Sequence, residues 1–92
     1  MTEAPHRAVL MITRLEGLAA ELGRAYQVTA LVQEQRRPFP MLEAISATRR
    51  GLIMAGAVHY WWHGDSSWII GPVADVHGAA RWIADRLEAP RR

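Results

Sequence analysis

The sequence predicts an α+β fold in the order α-β-β-β-β-α: an antiparallel four-stranded meander with two helices packed on one face. Three observations carry that expectation. An apolar stripe at helical spacing runs from Ala8 to Leu22. Segments rich in Val, Ile, Tyr and Trp, separated by Gly, Pro and Asp turn signals, fill the middle of the chain. A second, shorter stripe follows Asp75.

The first helix is expected over residues 5–22. Ala8, Met11, Ile12, Leu15, Leu18, Ala19 and Leu22 share one face at a period near 3.6. Pro5 suits a first turn, where its missing N–H costs nothing, and Gly23 suits a C-terminal cap. From Tyr26 to Gln35 the pattern alternates, as a half-buried strand requires. Pro38 and Pro40 then break it.

Residues 41–50 carry two signals. Met41-Leu42-Glu43-Ala44-Ile45 has helical propensity. Thr48-Arg49-Arg50-Gly51, however, reads as a tight hairpin with Gly at a left-handed position, so the strand is preferred. Leu52 to Trp62 is the third strand, His63-Gly64-Asp65-Ser66 a turn, and Ser67 to Val73 the fourth strand, with Pro72 marking an edge or an exit. The last helix spans about 76–88, with Asp75 as N-cap and Val76, Ala79, Ala80, Ile83 and Leu87 as its stripe.

These turns imply a register. Trp61 pairs with Trp68, His59 with Ile70, Tyr60 with Ile69, and Leu42 with Val58. Leu42, Ala44, Met54, Val58, Tyr60, Trp62 and Ile69 then face the helices. The other face carries Glu43, Ile45, Ala55, Ala57, His59, Trp61, Trp68 and Ile70. With both helices on one side, this second face is open and too apolar for plain solvent surface. The candidate binding residues are therefore Trp61, Trp68, His59, Ile70 and Glu43, with Trp favoured at binding hot spots. The alternative is that these tryptophans pack under a loop or a terminus.

Composition narrows the chemistry. The chain has 92 residues, which suits one domain over 1–92. It has no cysteine, which removes disulfides and thiolate metal sites. All 11 basic residues are Arg, so Lys-based nucleophiles and Schiff bases are excluded. The net charge is only +2, with acids interspersed, unlike a nucleic-acid footprint. No apolar run is long enough to span a bilayer, and the N-terminus lacks a signal-peptide layout, so a cytoplasmic location is expected.

Catalytic and metal motifs are not expected. His59 and His63 are four apart, which on a strand separates them by about 13 Å, too far to share a zinc. Glu43 lies diagonally across from His59 in the expected register, where an acid–base pair is conceivable but a salt link is commoner. No catalytic residue, metal ligand or cofactor is assigned. Arg36-Arg37 and Arg49-Arg50 fall at opposite ends of a meander and do not converge.

Three resemblances bear on function. The residues Tyr60-Trp61-Trp62, Gly64, Trp68-Ile69-Ile70-Gly71-Pro72, Asp75, Ala79-Ala80, Ile83-Ala84 and Leu87 resemble the C-terminal half of short actinobacterial helix–meander–helix proteins of uncharacterised function. The element order is loosely similar to double-stranded-RNA-binding domains, whose final helix opens on a lysine cluster. Here that place holds Asp75, Val76, His77 and Gly78, which disfavours nucleic acid. The order is also similar to small secretion-chaperone-like proteins, and that resemblance implies a dimer that binds partner proteins. The function expected is thus a non-catalytic interaction or accessory module, homodimeric and binding a protein partner through its apolar face. A small-ligand protein or cofactor-free enzyme using the same face is the alternative, and nucleic-acid binding the second.

Overall fold

The computed structural model describes residues 3–63 and 68–92. Their elements are α1 (Glu3–Ala25), β1 (Thr29–Gln33), β2 (Met41–Ile45), β3 (Arg50–Ala55), β4 (His59–His63), β5 (Trp68–Pro72) and α2 (Val76–Arg86). The α+β class and the two flanking helices agree with the sequence. The strand count does not: the sheet has five strands, in the order β1-β2-β3-β4-β5, and not four. Every neighbouring pair is antiparallel.

The extra strand comes from the run Leu52–Trp62, which folds back on itself. Ala57 and Val58 form the reversal, closed by the Gly56 N–H donating to the His59 carbonyl at 2.8 Å. Neither residue carries ordinary turn chemistry, so an apolar run with this reversal reads as one continuous strand. Val58 at the tip is 61% exposed, rather than facing the helices as expected.

The preceding turn is also displaced. Ile45 pairs with Arg50. The Ser46 N–H donates to the Arg49 carbonyl at 2.8 Å, so Ala47 and Thr48 form the tip. The Ser46 hydroxyl accepts from the Arg49 N–H at 3.0 Å and donates to the Leu87 carbonyl at 2.8 Å, tying this turn to the end of α2. Gly51 lies inside β3 and has no left-handed backbone. Its requirement is steric: a Cβ there would sit 2.1 Å from the Trp62 ring, which lies across its backbone.

Both helices pack on one face. Leu15, Leu18, Leu22 and Ala25 of α1, with Ala79, Ala80, Ile83 and Ala84 of α2, meet Leu42, Ala44, Ile53, Ala55, Tyr60, Trp62 and Ile70 of the sheet in one core. Tyr60 anchors the first half of α1. Its hydroxyl donates to the Arg14 carbonyl at 3.1 Å, while the Arg14 Nη1 donates to the Gly56 carbonyl at 3.0 Å. Burial pushes the Tyr60 phenol pKa up, and the nearby Arg14 charge opposes that rise.

Gly23 is not the cap of α1, which continues to Ala25. The orphan carbonyls at that end are met by the chain's C-terminus instead. The Arg92 N–H donates to the Ala25 carbonyl at 2.9 Å and its Nε to the Gly23 carbonyl at 2.6 Å. Asp75 caps α2 as its sequence suggests, accepting from the Gly78 N–H at 3.0 Å. On the outer surface, Glu21 of α1 contacts His77 just inside α2 at 2.9 Å. Its carboxyl is held below the usual carboxylate range by the Arg24 guanidinium and then by His77.

Two glycine substitutions should act in opposite directions. Gly51→Ala drives a methyl group into Trp62 and is expected to cost about 1–3 kcal/mol of unfolding free energy. Gly17, in the middle of α1, has open space where a Cβ would go. Gly17→Ala is expected to add about 0.5–1 kcal/mol by restricting the unfolded chain and favouring helix. Urea titration of the two variants against the parent measures both.

Candidate interaction surface

Strand alternation puts a second set of residues on the face away from the helices. Three rows cross it. Thr29 pairs with Ile45, and Ile45 with Arg50. Leu31 pairs with Glu43, Glu43 with Leu52, and Leu52 with His63. Met54 pairs with Trp61, and Trp61 with Ile69, while Gln33 pairs with Met41 at the other side of that row.

The face is apolar but not uniformly exposed. Leu31 and Ile69, at its two margins, are 50% and 52% exposed. Ile45, Leu52, Met54 and Trp61 are half-buried. Met41 is buried without belonging to the helix-side core. Both helices pack on the opposite face.

The charge on this face is self-contained. The Glu43 side chain, 17% exposed, accepts from Arg50 Nη2 at 2.6 Å and from Gln33 Nε2 at 3.2 Å. Both partners lie on the adjacent strands, one on each side. The carboxylate is thus paired in place, with each oxygen bonded to a neighbour.

Of the five residues assigned to the open face, three lie there and two do not. Trp61, His59 and Glu43 are on it. Ile70 is 8% exposed and sits in the helix-side core. Trp68 pairs with Trp62, on the helix side, and is 53% exposed at the sheet margin. The cause is the pairing beside the turn, where Trp61 meets Ile69 and Trp62 meets Trp68, one residue away from the expected register; farther along, Ile70 is an extra residue between the Trp61–Ile69 and Tyr60–Gly71 pairs. A one-residue slip in pairing exchanges the faces of a strand. Ile69 therefore replaces Trp68 as the partner of Trp61. In the same way Met54 lies on the open face and Ala55 in the core, contrary to expectation, because the reversal at Ala57-Val58 moves the pairing of β3.

The diagonal approach of Glu43 to His59 does not occur. His63, not His59, is in register with Leu52, and Glu43 is on the far side of Leu52. The acid–base pairing considered for these two residues therefore has no geometric basis. The turn expected at Gly64, Asp65 and Ser66, and the strand start at Ser67, lie outside the described residues. Among the described residues, no three His, Asp or Glu side chains are grouped to hold a metal ion. No described helix is long and apolar enough to cross a membrane.

The residues missed on this face are Leu31, Leu52, Met54 and Ile69. Leu31 was visible as the exception to the alternation of the first strand. The others depend on the hidden reversal and on the one-residue offset in the pairing of β4 with β5. Comparison with protein-family models, curated proteins and solved structures finds no match for the chain.

The tryptophans separate the two faces experimentally. Trp62 is 9% exposed and packs on Gly51 and edge-on against Trp82 at 5.7 Å. Trp62→Ala is expected to cost about 3–5 kcal/mol. Trp68→Ala, at the exposed margin, should cost under about 1 kcal/mol. Equal losses in chemical denaturation would contradict this register.

Proposed function

We propose that this chain is a non-catalytic interaction module that pairs reversibly with a second copy of itself through the open face of its sheet. The observation that supports the reading is the uncovered row of Met54, Trp61 and Ile69, continued by Leu52 and Leu31. Contiguous apolar surface of this kind marks association sites in small domains.

Self-pairing is favoured over a charged partner because, among the described residues, the carboxylate on this face is already paired. Glu43 and Arg50 neutralise each other within it. A two-fold contact sets the same patch against itself, which suits an apolar surface and requires no complementary charges. Edge-to-edge sheet extension is less suited. Strand β5, at one edge, ends in Pro72 and is irregular at Ile70, both of which blunt strand addition there.

Size sets the strength of the contact. Five strands about 4.8 Å apart and five residues at about 3.3 Å each give a face of roughly 400 Å² in projection. A standard stable interface covers about 800 Å² per partner. The face alone is thus suited to micromolar or weaker pairing, with dimer and monomer exchanging rather than permanently joined.

Sedimentation velocity over a wide concentration range is the test. The expected result is a monomer at dilution and a rising dimer fraction at high concentration. Trp61→Ser should shift the transition to higher concentration while leaving the thermal unfolding midpoint of the dilute protein nearly unchanged. A folded chain that stays monomeric throughout contradicts the proposal. A heterologous partner would then be the remaining occupant of the face.

A further inference from the structure

A separate cleft lies at the end of the molecule where α1 passes the β1–β2 loop and the β3–β4 reversal. It encloses about 690 Å³, within the range of small-ligand sites. Its walls are mainly apolar, with Leu10 and Met11 from α1, Phe39 and Pro40 from the loop, and Ala55 from β3. Leu10, off the core-facing stripe of α1, is 40% exposed.

The polar groups on these walls are unbalanced. Among the described residues, Arg7 and Arg14 come from α1 and Arg37 from the loop, against a single carboxylate, Glu34. Among the described residues, no carboxylate forms an ion pair with Arg14 or Arg37. By contrast, Arg24, Arg49 and Arg50 elsewhere on the surface each do. Arg14 is also held in place. Its Nη1 is fixed on the Gly56 carbonyl at 3.0 Å, and its own carbonyl accepts from Tyr60. A guanidinium has five N–H donors, so this contact leaves donors free on a side chain whose position is already set.

The geometry points to a binding site for a small amphipathic carboxylate, its chain lying against Leu10, Met11 and Phe39 and its head held by Arg14 and Arg37. Charge selects the class. An apolar molecule with a cationic head meets an excess of guanidinium, and a neutral one leaves those cations without a partner. An extended polyanion such as nucleic acid would gain from the arginines but not from the aliphatic and proline walls. The cleft is distinct from the open sheet face, and its occupancy does not depend on self-association.

Octanoate is a suitable probe, followed by 15N–1H correlation spectra of the dilute, monomeric protein. Saturable shifts are expected at the amides of Ala8, Gly56 and Ala57, with a Kd of about a millimolar. Octylammonium of the same chain length should leave those amides unmoved. Arg37→Gln should weaken octanoate several-fold, and adding Arg7→Gln should weaken it further. Arg14 is spared because it supports the Gly56 reversal. Equal shifts with octanoate and octylammonium, shifts centred on Leu31 and Ile69, or no saturable shift at these amides would each overturn the assignment. So would unchanged octanoate affinity in a folded Arg7→Gln/Arg37→Gln variant.

Discussion

Both helices pack on the same side of the sheet, and strand alternation turns that into a constraint on nearly every residue between Thr29 and Pro72. A strand side chain there is either under α1 and α2 or on the face away from them. Leu42, Ala44, Ile53, Ala55, Tyr60 and Trp62 take the first place. Glu43, Ile45, Leu52, Met54 and Trp61 take the second. The close approach of Trp62 to Gly51 helps set this arrangement, because the indole fits only where the facing strand has no Cβ. Arg86 lies 5.8 Å from the Trp62 ring and 5.7 Å from that of Trp82, so the outer end of this contact is closed by a cation over two rings.

The elements that were legible are those whose period and punctuation agree. The stripe of α1, the Asp75 cap and the small-residue face of α2 all follow from spacing alone. Strand β2 was legible through the turn that follows it, although that turn was placed too late because Gly51 serves packing rather than chain reversal. The break between β3 and β4 was hidden because Ala57 and Val58 look like strand residues. Those two residues decide the strand count. They also decide which of Met54 and Ala55 reaches the core.

The open face was legible in kind but not in membership. Trp61, His59 and Glu43 could be placed by parity from Tyr60 and Leu42. Trp68 and Ile70 could not, because β4 and β5 pair one residue away from the register that the intervening residues suggest, and that slip exchanges the faces of β5. The ion pair that neutralises Glu43 was also out of reach, since Gln33 and Arg50 come from two different strands. The cleft was missed for a related reason. Arg37 is far in sequence from Arg7 and Arg14, and only the fold brings the three to one cleft.

A soluble nitroxide that broadens the signals of exposed methyl groups tests the central claim most directly, because it reads both faces of the sheet in one experiment. In dilute solution, the methyls of Leu31, Leu52, Met54 and Ile69 should broaden, while those of Leu42, Ile53 and Ile83 stay sharp. On concentrating the sample, the first group should become protected, while Val9 on the outside of α1 continues to broaden. Protection of Leu52 and Met54 already at dilution, or broadening of the open-face methyls that does not change with concentration, would contradict a face that is uncovered in the monomer and covered by a second copy.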